Sequence, residues 1–184
     1  MTTQLHYGGV PVPYTVTWTG EQGHFLGYDQ NARPEIPSLM QRSAPGEGKP
    51  RFGDPHFCRQ REAMAKGLCD LCGKPLRAST KVSLSHARPR VNGADAFDIL
   101  QVEPLLHRAC ARISVNHCPS LKRDIDQGTL MIRQVFRHRV QLAIISPDGT
   151  EELTGERRKS FGYAKVQLLK WRDRDWAWLD RGGA

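Results

Sequence analysis

The sequence lacks an apolar run long enough to cross a membrane. Its longest apolar stretch lies around residues 140–145, whereas a spanning helix needs about 20 apolar residues. The chain does not open with the charged, apolar and small-residue order of a signal peptide, and it contains no internal repeat or low-complexity tract. These absences argue against membrane, secreted and repeat proteins, and they make the cytoplasm the expected location.

A single dense basic tract is also missing, although the chain is basic overall. Its 27 Lys and Arg residues exceed its 19 Asp and Glu residues, which gives a formal net charge of +8. Such a surface attracts polyanions, of which nucleic acid is the commonest. The basic residues cluster locally at 77–90, 122–123, 133–139 and 157–159. Because they are spread along the chain, solubility alone is the other interpretation.

Length and patterning predict an α+β protein. A chain of 184 residues with 39% hydrophobic content suits one domain, or one domain with an appendage. We predict three segments: an N-terminal β-containing arm with a Pro/Gly-rich linker at 1–55, a metal-binding module at 56–127, and a C-terminal β segment and helix at 128–184.

The arm shows one clear strand signal. Residues 14–19 alternate Thr with Val and Trp in the period of two that is typical of a half-buried strand. Residues 24–28 are its expected hairpin partner. Repeated Pro and Gly at 31–55 predict a linker without regular structure.

Helix and strand signals alternate through the central module. Residues 56–66 are predicted to form a helix that Asp54 caps and Gly67 ends. Strands are expected at 81–85 and 97–102, with a loop at 88–95 between them.

A second helix is predicted with Pro104 in its first turn. Its apolar residues recur at helical spacing: Leu106, Ala109, Cys110 and Ile113.

The last third of the chain is predicted to be mostly β, followed by a helix. A brief helix is expected at 120–127 and a β-rich stretch at 129–146. Pro147, Asp148 and Gly149 give a turn signal before residues 151–154. The tail at 163–179 is predicted to be helical.

Five cysteines in a chain expected in the reducing cytoplasm indicate metal ligands rather than disulfides. Cys69 and Cys72 are separated by two residues and followed by Gly73, as in a zinc knuckle, where glycine allows the turn a positive φ. A redox pair would have the same spacing. Cys58 is interpreted as a small buried hydrophobe or an idle thiol.

The second half of the predicted site lies at the start of the second helix. His107 and Cys110 project from one face there, and the positive helix terminus favours a thiolate. The predicted ligands of a structural Zn²⁺ are therefore Cys69, Cys72, His107 and Cys110, a closed set that leaves no position for water. Cys118 could replace His107, or it is a buried thiol at a helix end.

The order of a knuckle, a hairpin and a helix that completes the tetrahedron is the layout of a treble-clef zinc fold. The segment 69–121 resembles a group of small uncharacterised proteins of bacteriophages and prophages. The resemblance rests on three motifs: Cys-x-x-Cys-Gly, Glu-Pro-x-x-His-x-x-Cys-Ala and Cys-Pro-x-Leu. It implies a phage-related role and no particular activity.

A more distant resemblance is to HNH nucleases, which are often built on the same scaffold. Residues 85–89 (Ser-His-Ala-Arg-Pro) are similar to the strand of that family that carries its first histidine. His86 would be the general base, Asn92 would lie in the following loop, and a divalent cation such as Mg²⁺ would be required. Ser85 stands where the family usually has an acidic residue or a histidine, and Ala111 stands where it has a histidine. Because both departures weaken a metal-dependent active site, a DNA endonuclease is the alternative prediction and not the leading one.

Binding without catalysis is the leading prediction, with nucleic acid or a host protein as the partner. A patch of positive charge is expected around the central hairpin from Arg77, Lys81, Arg88 and Arg90, unless that hairpin is simply solvated. The tail places three tryptophans among alternating charges at 170–178. These indoles either pack on the protein body or form a contact surface.

Overall fold

A computed structural model describes residues 4–77, 79–92 and 95–181, and it confirms a mixed α+β protein. The helices are α1 (Phe57–Lys66), α2 (Arg108–His117), α3 (Pro119–Asp126), α4 (Pro147–Thr154) and α5 (Trp176–Asp180). The strands are β1 (His6–Tyr7), β2 (Val10–Pro11), β3 (Val16–Trp18), β4 (His24–Gly27), β5 (Ser38–Gln41), β6 (Pro50–Pro55), β7 (Lys81–Ser85), β8 (Arg90–Asn92), β9 (Asp95–Gln101), β10 (Leu106–His107), β11 (Met131–Ile145) and β12 (Ser160–Arg174).

One sheet of eight strands organises the fold. Its main path runs β10-β7-β11-β12-β5-β4, and β9 pairs with both β12 and β8. The long strands β11 and β12 are antiparallel along almost their whole length. Strands from all three predicted segments pair within this sheet.

The main core lies where α1, α2 and the knuckle segment pack against the sheet. Leu168 and Ile99 are fully buried there, and Cys69 is buried in the same cluster. A smaller cluster of Val12, Val16 and Trp18 lies under the N-terminal segment. The two halves of the predicted metal site are therefore built into the main core.

Helix α1 joins separate strands through buried polar side chains. The Gln60 amide donates to the carbonyls of Val102 and Ala164 and accepts from the Ala164 N–H, each at 2.8–2.9 Å. Arg61 is fully buried and donates to Leu39 and to Gly162 across the sheet. Because buried polar groups require partners, these contacts fix the position of the helix that leads into Cys69.

The predicted α1 is confirmed, but its cap is different. His56 rather than Asp54 accepts from the Arg59 N–H, and Gly67 ends the helix with φ of 61°. The strand at 81–85 and the short helix near 120–127 are also present, as β7 and α3.

The prediction for the N-terminal arm was wrong in its pairing. β3 pairs with β6, and β4 pairs with β5, so residues 14–19 and 24–28 do not form a hairpin. The Glu21 carboxylate accepts the N–H groups of Trp18 and Ala44. The contact with Ala44 is long-range, so local patterning does not reveal it, and it brings the second half of the arm beside β3.

The unstructured linker predicted at 31–55 was also wrong. β5 and β6 lie within it, and Leu39 is fully buried. Pro50 and Pro55 occupy the two ends of β6, where a strand tolerates a missing N–H group.

Part of the predicted loop at 88–95 is strand β8, which pairs with β9. Pro104 does not lie in a helix, because α2 begins only at Arg108. Leu106 and His107, directly before α2, form β10, and Leu106 is paired with Val82 of β7.

The helical tail predicted at 163–179 was wrong, since most of it is β12, and only the short α5 follows. The buried apolar residues Ala164, Val166 and Leu168 are spaced by two, which is the strand period. Residues 147–154 form α4 rather than the turn that Pro147, Asp148 and Gly149 predict: Ser146 caps the helix and Pro147 occupies its first turn, an N-terminal signature of helices.

Candidate metal centre

The first half of the site is a tight turn directly after α1. An isolated bridge pairs Leu68 with Pro75, and the Cys69 N–H donates to the Lys74 carbonyl at 2.8 Å. Gly73 has φ of 64°, a conformation that glycine adopts without strain. The turn directs Cys69 and Cys72 to the same place.

The second half is the junction of β10 and α2. His107 is the last residue of β10 and the N-cap of α2, and Cys110 lies in the first turn of that helix. Pairing of β10 with β7 sets the position of His107. The His107 N–H donates to Cys69 Sγ at 3.4 Å, which ties the two halves together.

The structure brings Cys69, Cys72, His107 and Cys110 together, with all four ligand atoms within 4.8 Å of one another. His107 Nδ1 lies 3.4 Å from Cys72 Sγ and 3.8 Å from Cys110 Sγ. Tetrahedral ligands at ordinary metal bond lengths would have sulfur and nitrogen about 3.5 Å apart. The cluster could therefore hold a metal ion.

The three thiols of the cluster shift one another's pKa values. A hydrogen bond from the Cys110 thiol, together with N–H groups of Cys72 and His107, lowers the pKa of Cys69 to about 5. The hydrogen bond to Cys69 raises the pKa of Cys110, and burial raises the pKa of Cys72. One thiolate thus forms readily while the other two resist ionisation, and a cation would allow all three to ionise.

The tautomer of His107 also fits a metal ligand. Its Nε2 lies 3.1 Å from the Pro75 carbonyl oxygen, which can only accept, so Nε2 carries the hydrogen. Nδ1 then keeps a free lone pair that points among the sulfurs. A hydrogen bond of this kind orients metal-binding histidines in many proteins.

The N-terminal segment supports the knuckle from outside. The Tyr14 N–H donates to the Asp70 carbonyl at 2.7 Å, and the Thr15 hydroxyl donates to the Asp70 carboxylate. Desolvation raises the pKa of Asp70 to about 7. Sequence reasoning missed these supporting contacts, because nothing in the local pattern links Thr15 to a residue so far along the chain.

The remaining cysteines lie outside the cluster. Cys118 stands between α2 and α3 and is not among the four grouped residues, so the geometry favours His107 over Cys118 as the fourth candidate ligand. Cys58 is half-buried on α1, with its sulfur 3.9 Å from Met40 Sδ. His117 is exposed in the last turn of α2.

His86 lies in a small exposed contact group rather than a metal cluster. Its Nδ1 donates to the Thr129 carbonyl at 3.1 Å, and its Nε2 faces Asp124 at 3.6 Å. Within the described ranges, the Cys₃His set is the one group of three or more His, Cys, Asp or Glu residues placed to share a metal. Asn92 pairs with Asp95 in the β8–β9 hairpin.

Two of the four residues in the positive patch expected around the central hairpin bond to other groups of the protein. Arg90 forms a bidentate pair with Asp98, and Arg88 donates to the carbonyls of His86, Gly128 and Thr129. Arg77 is exposed and Lys81 is partly buried.

The tail tryptophans pack on the protein body. Trp171, Trp176 and Trp178 are partly buried against the main core. The guanidinium groups of Arg108 and Arg174 also lie 4.1 and 5.1 Å from the centroid of the Trp178 ring. These indoles therefore serve packing rather than an open stacking surface.

Comparisons with protein-family models, curated proteins and solved structures gave no match. In the part of the chain that the structure describes, no helix has the length and apolar character needed to span a membrane. The function is therefore inferred from the chemistry of the chain's own residues.

Proposed function

We propose that the Cys₃His cluster binds Zn²⁺ and that the ion is structural. The proximity of its four ligand atoms is the observation that supports this most. Three thiolates and an imidazole suit Zn²⁺, and four protein ligands complete its tetrahedron without leaving a position for water. Binding would contribute on the order of 10 kcal/mol, which is comparable to the net stability of a whole domain.

We further propose that residues 69–117 form a treble-clef module. The knuckle, strand β7 and helix α2 follow one another in the order of this fold. The expected hairpin of β7 with β9 is replaced by other pairings, because β7 pairs with β10 and β11, and β9 pairs with β12 and β8. The motifs at 69–121 support a phage-type protein, with the cytoplasm of the host cell as its location.

Non-catalytic binding of nucleic acid is the function we infer for the zinc-stabilised chain. The net charge of +8 supports it, because a basic protein gains affinity for nucleic acid by releasing counterions from the phosphates. A host protein as the target has less support, since the tryptophans that would anchor such an interface pack on the core instead.

Three measurements on the purified chain test this proposal. Elemental analysis should find about one zinc per chain, as a single closed site requires. Fluorescence anisotropy should show binding of a labelled oligonucleotide that weakens as salt is raised. Incubation of plasmid DNA with Mg²⁺ or Mn²⁺ should leave it intact; cleavage that His86→Ala abolishes would instead establish the nuclease alternative.

A further inference from the structure

Four exposed cations lie on one face of the β11–β12 ribbon, which we name the basic face: Arg137, Arg139, Lys170 and Arg172. Arg137 is directly opposite Lys170 across the two strands, and opposed residues of a sheet share a face. Arg139 and Arg172 are each two residues away from one of them on the same strand, and that spacing keeps them on the same face.

This part of the sheet is open at one side. Pairing of β11 with β7 ends at Val135, so beyond that residue β12 is the one strand that pairs with β11 in the described part of the chain. All four side chains of the basic face are exposed, and a long ligand could therefore lie along the ribbon.

The positive charge of the basic face is not compensated by the protein. Among the ion pairs of residues 4–77, 79–92 and 95–181, none includes a member of the basic face. Asp98 is the carboxylate whose charge attracts Arg139, but Arg90 already holds it in a bidentate pair. Arg139 instead donates to the Gln167 side chain.

Like charges placed directly opposite each other destabilise a sheet. The Arg137–Lys170 pair therefore works against folding unless an anion lies between or above the two groups. Charges two residues apart on a strand are about 6.6 Å from each other. Such a row matches a regularly charged polyanion better than it matches an isolated carboxylate.

An exposed aromatic residue directly precedes Arg137 in the chain. Phe136 is 49% exposed at a bulge of β11, directly before Arg137. Bases stack on aromatic side chains in single-stranded complexes, whereas the base faces of a duplex are stacked on one another. The combination of cations and an exposed ring favours a single strand.

We propose that the basic face binds the phosphate backbone of single-stranded nucleic acid and that Phe136 stacks on one of its bases. This inference rests on the nucleic-acid-binding function proposed above. It assigns that function to the outer half of the β11–β12 ribbon and not to the zinc module.

The test compares two double variants that remove the same charge. Arg137→Gln/Lys170→Gln changes the basic face, whereas Arg33→Gln/Lys49→Gln removes two exposed cations from loops of the N-terminal segment. Anisotropy with a fluorescent single-stranded oligonucleotide is measured from about 50 to about 200 mM salt. Thermal unfolding of each variant shows that the fold is retained.

The salt dependence gives the expected sizes. Four phosphate contacts to a single strand predict a log–log slope of about −2.8, so the wild-type affinity should fall about 50-fold over this range. The face variant should have a slope of about −1.4 and a fall of about sevenfold, while the loop variant keeps the wild-type slope. Phe136→Ala should weaken binding at least about fivefold.

Each contrary outcome identifies what failed. If the wild type binds but the face and loop variants have equal slopes, the location on the basic face is wrong and the proposed function stands. If the wild type binds duplex at least as tightly as single strand and Phe136→Ala has no effect, the single-strand assignment is wrong. No binding by the wild type, or equal binding of polyglutamate, would overturn the nucleic-acid function itself.

Discussion

Replacing Glu21 with glutamine should destabilise the protein by about 4 kcal/mol, because it breaks a fully buried ion pair. Glu21 is 0% exposed and accepts four hydrogen bonds: from Arg59 Nη1 and Nη2 at 2.6 and 2.7 Å, and from the N–H groups of Trp18 and Ala44 at 2.8 Å each. Burial opposes its ionisation, but these donors outweigh burial and hold the pKa of Glu21 below its ordinary value.

The magnitude follows from the contacts that glutamine cannot make. Its amide group would face one Arg59 N–H and one backbone N–H, donor against donor, and the Arg59 charge would have no counter-ion. Two lost hydrogen bonds to a charged group at about 1.5–3 kcal/mol each agree with the about 3–5 kcal/mol measured when buried pairs are broken. In a chain of this size the midpoint temperature should fall by about 8–16 °C.

Urea denaturation in the presence of Zn²⁺, followed by tryptophan fluorescence, measures this loss, since the buried Trp18 lies in the same network. Glu47→Gln is the matched control: its partner Arg42 is 3.1 Å away, but the two side chains are 54% and 62% exposed, so the cost should stay below about 1 kcal/mol. Glu21 lies in the N-terminal segment and Arg59 lies in α1, so we expect their ion pair to hold the two together. An equal, small loss of stability in both variants would refute this.

Three further predictions have definite expected outcomes. Cys110→Ser should bind no metal ion, and its thermal unfolding transition should lose most of its cooperativity. Cys118→Ser, outside the cluster, should keep one metal ion. Elemental analysis measures the metal, and thermal unfolding measures the cooperativity. Burial lowers the pKa of His56, so the stability that its neutral ring provides is complete above the unfolded-state pKa of about 6.5 and is lost as pH falls below it. The difference in free energy of unfolding between the wild type and His56→Asn should therefore be smaller at about pH 5 than at about pH 7.5 in urea titrations. An equal difference at both pH values would contradict a neutral buried ring. Gly67→Ala should cost about 1 kcal/mol through its φ of +61° alone, because an added Cβ meets nothing within 4 Å; an unchanged urea midpoint would show that this conformation carries no strain.

Sequence patterning located the elements whose signals are local. The helix before Gly67 follows from its glycine C-cap, and the turn after it follows from two cysteines and a glycine at close spacing. The start of α2 was misplaced by several residues, yet His107 and Cys110 still lie where its first turn begins. Ligand spacing tolerates such an error, because the side chains need only share one turn.

Errors accumulated where pairing joins distant segments. In the tail, Val166 and Leu169 are three residues apart, a spacing that predicts a helix, whereas the buried apolar residues Ala164, Val166 and Leu168 are two residues apart. Short apolar runs are compatible with either period, and the choice depends on whether a partner strand is available. β11 supplies that partner, and the two strands together display the basic face.

By itself the sequence determined the residue types of the candidate metal site, their spacing and the excess of positive charge, because these depend on residue identity and on turns of a few residues. Tertiary structure alone decided that β12 is a strand, that the N-terminal segment packs against the knuckle, and that Arg137 lies opposite Lys170. The physical reason is that a strand gains its hydrogen bonds and burial from partners far away in the chain.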